Sequence, residues 1–420
     1  MTLEYINNEL SVNGHGLTGI AREYGTPLFV YDENAIRTQC RKYHRVLEEA
    51  GLDYSISYAS KAFTSVQMVK LLETEKMKLD VVSQGELYTA LKAGFNAQDI
   101  HFHGNNKTVQ EVEYALDSGV GLIVVDALDE VALIDSIATG KIDVLLRINP
   151  GVDVDTHEFI QTGQEDSKFG LSIHNGSALE AVNAIKESRH LKFRGIHYHL
   201  GSQLSTESPF LNALEAVYSW LSDSSLDIEV LNMGGGYGVK YVEDDRRFPV
   251  DSGFRRIIGK LKRLTEKYGY PLPHVMIEPG RSIIAEAGTT VYEVGVIKEI
   301  PGITKYVSID GGMSDHLRTP LYNAQYELVP VNRTDVDNTE ANVVGKLCES
   351  GDIIGKHLSV PADLKRGDLL AVKTTGAYHY SMASNYNQMA KPAVVFVDDQ
   401  GTRPVIRRQT FEQLIENDIL

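Results

Sequence analysis

Short apolar runs rich in β-branched residues alternate with amphipathic stretches between residues 53 and 281. The runs have the length of single strands, and the stretches between them have a helical period. Alternation of this kind predicts parallel βαβ units. Eight runs within about 230 residues favour a closed (β/α)8 barrel, a TIM barrel, over an open doubly wound sheet. The runs lie at residues 53–61, 78–83, 100–104, 121–127, 143–151, 193–202, 228–236 and 274–281.

The amphipathic stretches carry helix start and stop signals. Thr108 is a candidate N-cap, Glu111 follows three residues later, and Gly119 ends the same stretch. This is the pattern of a capping box with a glycine stop, and it predicts a helix between Thr108 and Gly119. Further helices are predicted within 64–76 and 85–94.

After residue 281 the pattern changes to strands with little helix between them. We therefore predict a barrel domain over residues 32–280 and a mostly β domain formed by residues 1–31 and 281–420. Residues 27–31 are included in the β domain because they form a strand-like run that can pair with the later strands. Those later strands are predicted at 289–300, 305–310, 368–374 and 393–397.

Composition narrows the class of protein. The formal net charge of the 420 residues is −16, and this argues against nucleic-acid binding, which needs clustered Lys and Arg. No apolar run reaches the ~20 residues of a membrane span, and the N-terminal residues lack the pattern of an export signal. The two cysteines, Cys40 and Cys348, form no disulfide framework. We expect a cytoplasmic protein that binds neither nucleic acid nor membrane.

Candidate chemistry gathers at the C-terminal ends of the predicted strands, which form the functional rim of such barrels. A lysine in a cleft suits Schiff-base chemistry. A glycine run lets backbone N–H groups approach a phosphate, and a carboxylate suits a pyridinium nitrogen. Pyridoxal 5′-phosphate (PLP) requires these groups together. The residues concerned are Lys61, His199, Gly234, Gly235, Gly236, Glu278 and Arg281.

Two His-x-His pairs support a competing hypothesis. His101 and His103 stand two apart on one predicted strand, and His197 and His199 on another. Strand alternation points both members of a pair to the same side, as metal ligands require. A metal-dependent hydrolase is therefore an alternative class, although the lysine and the carboxylate of the rim fit it poorly.

An ordered set of motifs over nearly the whole chain resembles the alanine-racemase-fold, PLP-dependent decarboxylases, and among them the branch that acts on meso-diaminopimelate. Each motif alone is weak, and their common order makes the resemblance specific. Residues 150–170 also resemble the active-site loop that separates this branch from relatives acting on ornithine or arginine. The motifs are Tyr58-Ala59-Ser60-Lys61-Ala62, DVVSQGEL (80–87), FHGNNK (102–107), HYHLGSQ (197–203), GGGYG (234–238), EPGR (278–281), CESGD (348–352) and TGAYHYSMASNYN (375–387).

The resemblance implies a role for each matching residue. Lys61 would hold PLP covalently, His199 would stack on the PLP ring, and Glu278 would bond the ring nitrogen. The sequence around Cys348 leaves it undecided between a buried thiol and a proton donor; the resemblance implies a donor reaching across from a partner subunit, in a homodimer. Other cofactor contacts would be Ser202, Gly234, Gly235, Gly236, Gly280, Arg281 and Tyr378. Substrate contacts would be Arg281, Arg318, Tyr322, Glu349 and Tyr378.

The implied activity is decarboxylation of meso-2,6-diaminopimelate to L-lysine and CO2, the last step of lysine biosynthesis, with PLP and without a metal. The end of the substrate that does not react is a zwitterion, so Arg318 suits its carboxylate and Glu349 its ammonium. A decarboxylase of ornithine, lysine or arginine on the same fold is the alternative. An amino acid racemase explains the CESGD motif poorly, and a non-enzymatic PLP carrier leaves the β domain unexplained.

Overall fold

A computed structural model of the chain describes residues 3–152, 167–333 and 336–419. Within these residues no helix is both long and apolar enough to cross a membrane. The chain forms two compact units, which we call the β unit and the barrel unit. The β unit consists of residues 1–38, 240–245 and 283–420, and the barrel unit of residues 39–239 and 246–282.

The chain begins with short elements that precede the barrel strands. They are β1 Leu3–Ile6, β2 Glu9–Val12, β3 His15–Gly16, α1 Leu17–Tyr24, β4 Leu28–Asp32 and α2 Glu33–Glu49. Strands β1, β2 and β3 pair in that order as a small antiparallel sheet. Strand β4 is buried at all five positions, as expected for an apolar strand with neighbours on both sides.

Eight parallel strands close into a barrel, as the sequence predicts. The strands of the barrel unit are β5 Tyr54–Ala59, β6 Lys78–Val81, β7 Ile100–Phe102, β8 Leu122–Val125, β9 Ile142–Asn149, β10 Leu171–Ser172, β11 Leu191–His197, β12 Val230–Asn232 and β13 His274–Ile277. All except β10 belong to the barrel, and β10 pairs only with β9. Pairing of β13 with β5 and of β8 with β9 closes the ring. Each predicted run overlaps one barrel strand, so the predicted fold class is confirmed.

Helices alternate with the barrel strands. They are α3 Val66–Thr74, α4 Gln84–Lys92, α5 Val109–Ser118, α6 Leu128–Ile137, α7 Ser177–Glu187, α8 Ser208–Asp223, α9 Val250–Tyr268 and α10 Arg281–Ile284, with 3-10 turns at Ser60–Ala62 and Ala97–Asp99. Helix α5 has the predicted ends: the Thr108 and Glu111 side chains form a reciprocal capping box, and Gly119 is left-handed with φ 72°. Helices α3 and α4 overlap the other two predicted segments.

The C-terminal part of the β unit is mostly strand. Its elements are β14 Gly288–Ile300, β15 Thr304–Ile309, α11 Arg318–Tyr322, β16 Leu328–Pro330, β17 Asn338–Val344, β18 Ile353–Pro361, β19 Leu369–Lys373, β20 Ala393–Asp398, β21 Gly401–Ile406 and α12 Phe411–Leu414, with 3-10 turns at Ala285–Ala287, Tyr380–Met382 and Tyr386–Gln388. The main path of the sheet is β18-β17-β15-β14-β4-β20-β21, and β19 pairs with both β14 and β16. The second, mostly β domain is thus confirmed.

The N-terminal strand β4 lies inside this sheet. It pairs antiparallel with β14 and parallel with β20, so the prediction that residues 27–31 join the β sheet is confirmed. Strands β1–β3, β16–β18 and β21 are not predicted by the sequence analysis. They are short or carry exposed polar residues, and therefore lack the apolar runs that marked the others.

Candidate active site

The candidate residues of the barrel unit lie at or just beyond the C-terminal ends of its strands, as predicted. Lys61 lies in the 3-10 turn after β5, and His199 lies two residues after β11. The run Gly234–Gly236 begins two residues after β12, and Glu278 directly follows β13. Arg281, which is buried, opens α10 three residues later. One rim of the barrel thus carries an amine, an imidazole, a glycine turn, a carboxylate and a guanidinium.

The turn that carries Lys61 packs against the segment that follows β13. The Ala59 N–H donates to the Pro279 carbonyl over 3.2 Å. A Cβ at Gly280 would stand 2.9 Å from the Ala59 Cβ and 3.3 Å from the Ala62 Cβ, so glycine is needed for this approach. The Lys61 side chain itself is exposed. Its amine is therefore open to a ligand at the mouth of the barrel.

Three side chains surround the buried carboxylate of Glu278. Asn232 Nδ2 donates to Oε1 over 2.6 Å, and His197 Nε2 donates to Oε2 over 3.0 Å. His103 Nε2 lies 2.9 Å from Oε1. Burial alone would raise the pKa of this carboxyl, but His103 and His197 outweigh burial and hold the pKa well below its usual range. Glu278 is therefore an ionised, fully surrounded carboxylate.

The pKa values of the two histidines beside Glu278 are shifted in opposite directions. Burial lowers the pKa of His103, but the negative charges of Asp80 and Glu278 raise it by more than burial lowers it. The net pKa therefore stands above the ordinary value. The Asp80 Oδ1 lies 3.8 Å from the His103 Nε2. Burial lowers the pKa of His197 to about 4. His197 is thus neutral near pH 7 and uses its Nε2 proton to bond Glu278. The carboxylate is thus bonded by the neutral ring of His197, and it lies beside His103, whose pKa is shifted in the opposite direction.

His199 is held in one tautomer by the glycine run. Its Nδ1 accepts the Gly235 N–H over 3.2 Å, so the ring proton lies on Nε2. Burial, followed by the positive charge of Lys61, holds the pKa of His199 well below its usual range. A neutral imidazole presents a flat, uncharged face, which suits stacking on an aromatic ring.

The glycine run also has a packing reason that needs no ligand. A Cβ at Gly235 would stand 2.1 Å from the Glu278 carbonyl oxygen. A Cβ at Gly236, where φ is +97°, would stand 2.0 Å from the carbonyl oxygen of Gly201. Side chains at these positions would push the loop away from the ends of β11 and β13. Ser202, the next residue after Gly201, is half-buried beside this loop.

The members of each His-x-His pair do not face the same group, as the metal hypothesis requires. His101 Nδ1 contacts Ser57 Oγ at 2.9 Å. His103 and His197, from different strands, meet at Glu278 instead, and the ligand atoms of these three residues lie within 4.8 Å of one another. Among the described residues this is the one group with such spacing. Ion pairing and hydrogen bonding to the carboxylate account for its short contacts.

Two residues near this cluster, Asn232 and Arg147, are not named in the sequence analysis, and Asp80 appears there only as the first residue of the 80–87 motif. Arg147, on β9, places Nη1 3.3 Å from Asp126 Oδ2 and its guanidinium carbon 4.4 Å from the centre of the Phe169 ring. Asn232 is the last residue of β12 and Asp80 the last but one of β6, close to the strand ends that marked the predicted residues. Arg147 lies within its strand, and no local signal distinguishes it.

Most of the loop predicted at 150–170 lies outside the described residues. At one end, the Gly151 N–H donates to Asn149 Oδ1 over 2.9 Å. At the other, the Gly170 N–H donates to Asp126 Oδ1 over 2.9 Å. Both described ends are therefore attached to the rim, at the ends of β8 and β9.

In the β unit, α11 and neighbouring tyrosines enclose the Arg318 side chain. Arg318 Nε donates to the Tyr326 hydroxyl over 2.6 Å. The guanidinium carbon lies 5.2, 5.7 and 5.8 Å from the ring centres of Tyr322, Tyr241 and Tyr378. The structure thus brings together the predicted residues Arg318, Tyr322 and Tyr378. Tyr241 and Tyr326 complete the cage and are not predicted.

The loop between β17 and β18 carries Cys348 and Glu349 side by side, and both are exposed. Cys348 is a free thiol, whereas Cys40 is buried. The sequence left Cys348 undecided between a buried thiol and a proton donor, and its exposure argues against the buried thiol. An exposed thiol next to a carboxylate is available for proton transfer and substrate contact.

The rim of the barrel fits PLP on its own geometry. The pyridine nitrogen of PLP needs an ionised carboxylate that keeps it protonated, and Glu278 is held in that state by its neighbours. The aldehyde of PLP needs an accessible amine, and Lys61 is exposed. The fold and this rim therefore define a barrel enzyme of the PLP-dependent class.

Comparison with known proteins agrees with this class. Residues 33–285 match the family model for the pyridoxal binding domain of pyridoxal-dependent decarboxylases. The chain is 55% identical over 419 residues to a diaminopimelate decarboxylase of Staphylococcus aureus (strain COL), with 100% of both chains covered. It is 45% identical to that of Bacillus subtilis (strain 168), covering 98% of this chain and 96% of the other. The crystal structure of M. jannaschii diaminopimelate decarboxylase in complex with L-lysine matches with a TM-score of 0.93 and 33% identity, over 100% of this chain and 98% of that one.

The chain therefore belongs to the diaminopimelate decarboxylase family, within the pyridoxal-dependent decarboxylases. The family resemblance, the fold class and the PLP cofactor expected from the sequence are confirmed.

Proposed function

We propose that this chain decarboxylates meso-2,6-diaminopimelate to L-lysine and CO2, the last step of lysine biosynthesis. The observation that carries the proposal is the ionised Glu278 carboxylate, fixed by Asn232, His103 and His197 at the rim of the barrel. Bound PLP supplies an electron sink for the negative charge left when CO2 departs. By holding a proton on the ring nitrogen, Glu278 keeps that sink strong.

The barrel residues hold the cofactor in this proposal. Lys61 forms the covalent attachment, because its amine is exposed at the mouth of the barrel. His199 stacks on the ring, because the Gly235 N–H fixes it as a neutral imidazole. The remaining proposed cofactor contacts are Ser202, Gly234, Gly235, Gly236, Gly280, Arg281 and Tyr378.

The substrate is recognised by charge at its distal end. Arg318 binds the distal carboxylate through paired hydrogen bonds, and Glu349 binds the distal ammonium. Substrates without the distal carboxylate would leave the buried Arg318 unpaired and bind weakly. Arg281, Tyr322 and Tyr378 complete the proposed substrate contacts.

The proton that replaces CO2 comes from Cys348 of a partner subunit, so the active unit is a homodimer. The support is the exposure of this thiol and of Glu349 beside it. We also propose a cytoplasmic location, since neither cysteine forms a disulfide within the described residues, as is usual in a reducing compartment.

The test is CO2 release from purified enzyme supplied with PLP and, in separate reactions, meso-diaminopimelate, ornithine, lysine or arginine. We expect release from diaminopimelate alone, with L-lysine as product and no activity in Lys61→Ala. Borohydride reduction should fix the cofactor to the peptide that contains residue 61. Preference for another diamino acid would replace the substrate assignment. Inversion of configuration at the substrate α-carbon without release of CO2 would indicate a racemase.

A further inference from the structure

The backbone of Cys348 is held by side chains instead of by regular structure. The Cys348 N–H donates to Asn387 Oδ1 over 2.8 Å, across 39 residues of sequence. The preceding N–H, of Leu347, donates to Asp352 Oδ2 over 2.8 Å. Side-chain oxygens from two segments therefore hold two consecutive N–H groups. Together they set the direction in which the Cys348 side chain leaves the backbone.

Asp352 is a fixed acceptor. It is buried, and its Oδ1 also accepts the Met313 N–H over 2.5 Å. A Cβ at Gly345 would stand 2.1 Å from Oδ2, and one at Gly312 would stand 2.5 Å from Oδ1. Two glycines thus leave space for this carboxylate between the ends of β15 and β17. The loop that carries Cys348 is anchored there at its base.

Asn387 is presented from an equally constrained segment. Its backbone is left-handed, with φ 52° and ψ 31°, a conformation that asparagine adopts more readily than most residues. Nearby, Asn385 Nδ2 donates to the Met389 carbonyl over 2.8 Å and to Gln409 Oε1 over 2.6 Å. These bonds attach the segment to the residues before α12. The Asn387 amide oxygen therefore has a defined position.

We propose that Asn387 is a positioning residue that orients Cys348 for proton donation, with Asp352 as the second anchor. The inference deepens the proposed function and rests on the role of Cys348 in it. It also assigns a purpose to the last residue of the 375–387 motif. An amide suits the position because it accepts the N–H without charge, whereas a carboxylate would disfavour the thiolate of a neighbouring cysteine.

Three variants separate the effect of the hydrogen bond to the Cys348 N–H from the effect of the left-handed backbone at residue 387. Asn387→Gly removes the acceptor but keeps access to the left-handed conformation. Asn387→Asp keeps an acceptor and adds a negative charge. Gln388→Gly is the matched control, since Gln388 is exposed and left-handed, with φ 56°, immediately beside Asn387.

The first measurement is residue-resolved amide hydrogen exchange on the full chain without cofactor. In Asn387→Gly we expect exchange at Cys348 to accelerate about tenfold or more, while Leu347 stays protected and the melting temperature stays unchanged. Asn387→Asp should retain the protection, and the pH profile of Cys348 alkylation should move upward. Unchanged exchange at Cys348 in Asn387→Gly would overturn the proposal.

The second measurement is the kinetics of the PLP-loaded enzyme. We expect Asn387→Gly to lower kcat about tenfold with KM within about twofold, because a misdirected donor affects the proton step more than substrate binding. Asn387→Asp should recover part of kcat, and Gln388→Gly should behave as wild type. Equal kcat in Asn387→Gly and Gln388→Gly would also overturn the proposal. If the wild type releases no CO2, the proposed function is wrong. The exchange and alkylation data then still test whether Asn387 holds the Cys348 N–H.

Discussion

Inside the barrel, His197 Nε2 donates a hydrogen bond to Glu278 Oε2 over 3.0 Å. His197 is the last residue of β11, Glu278 directly follows β13, and β12 lies between these two strands in the sheet. Because burial lowers the pKa of His197 to about 4, this ring gives a hydrogen bond without a charge. The other carboxylate oxygen lies beside His103, whose pKa is lowered by burial but raised on balance by Asp80 and Glu278. Glu278 therefore stays ionised in a buried site.

We predict that Glu278→Gln lowers kcat more than it changes KM. A neutral amide cannot hold a proton on the ring nitrogen, and loss of one charged hydrogen bond, about 2–3 kcal/mol, corresponds to roughly 30- to 150-fold in rate. Steady-state CO2 release together with PLP affinity measures the effect. Glu349→Gln is the comparison: it should raise KM for diaminopimelate and leave PLP affinity unchanged. Identical profiles in the two variants would contradict the separate roles of these glutamates.

The barrel could be predicted because its strands are buried apolar runs. Strand β8, with the sequence LIVV, is buried at all four positions. Strands β17 and β18 gave no such signal, because polar and exposed residues interrupt them, as in NTEANVV of β17. Their pairing depends on neighbours far away in the sequence, which the local pattern does not contain.

The site was predictable only where a strand end carries distinctive chemistry. Lys61 and Glu278 met that condition. Asn232 also ends a strand, but an amide is not distinctive until the carboxylate that it bonds is known. Arg147 lies inside β9, and its meeting with Asp126 and Phe169 follows from the three-dimensional arrangement of the barrel.

The buried His101 should make the barrel unit less stable in mild acid. Burial lowers its pKa to about 3, whereas the unfolded imidazole titrates near 6.5. Below pH 6.5 the unfolded chain takes up a proton that the folded chain does not, so the free energy of unfolding falls as pH falls. The slope for one such group approaches ~1.4 kcal/mol per pH unit. His197 adds to the slope in the same direction, down to about pH 4.

The measurement is urea unfolding of the cofactor-free chain at pH 7 and pH 5.5, followed by fluorescence of Trp220, the single tryptophan, which lies in the barrel unit. His101→Gln should reduce the loss of unfolding free energy between these pH values by about 1 kcal/mol. An unchanged loss in this variant would show that His101 does not contribute.

The two cysteines should react differently with a thiol reagent. Cys40 is fully buried and Cys348 is exposed. We expect one thiol per chain to react with Ellman's reagent under native conditions, and two after denaturation. Peptide mapping of alkylated protein should locate the native label on Cys348. Native labelling of Cys40, or a native count of two in the wild type, would contradict the described packing of α2.

The hydrogen bond from Arg318 Nε to the Tyr326 hydroxyl, 2.6 Å long, should tune substrate selectivity. Tyr326→Phe removes the acceptor while keeping the ring, so the guanidinium loses one of its fixed directions. A loss of about 1 kcal/mol corresponds to a KM for diaminopimelate roughly fivefold higher, with kcat nearly unchanged. Arg318→Met should raise KM further, because the distal carboxylate then loses its charged partner.

The same variants should also bind the product L-lysine more weakly, because its carboxylate is the distal carboxylate of the substrate, which is retained when CO2 leaves the other end. The inhibition constant of L-lysine against diaminopimelate should rise in the order wild type, Tyr326→Phe, Arg318→Met, because each step weakens the group that binds this carboxylate. Product-inhibition assays with both compounds present measure this constant directly. If Tyr326→Phe keeps the wild-type constant while Arg318→Met raises it, the arginine binds the carboxylate without help from Tyr326. If neither variant changes the constant, recognition of the distal carboxylate lies with another residue.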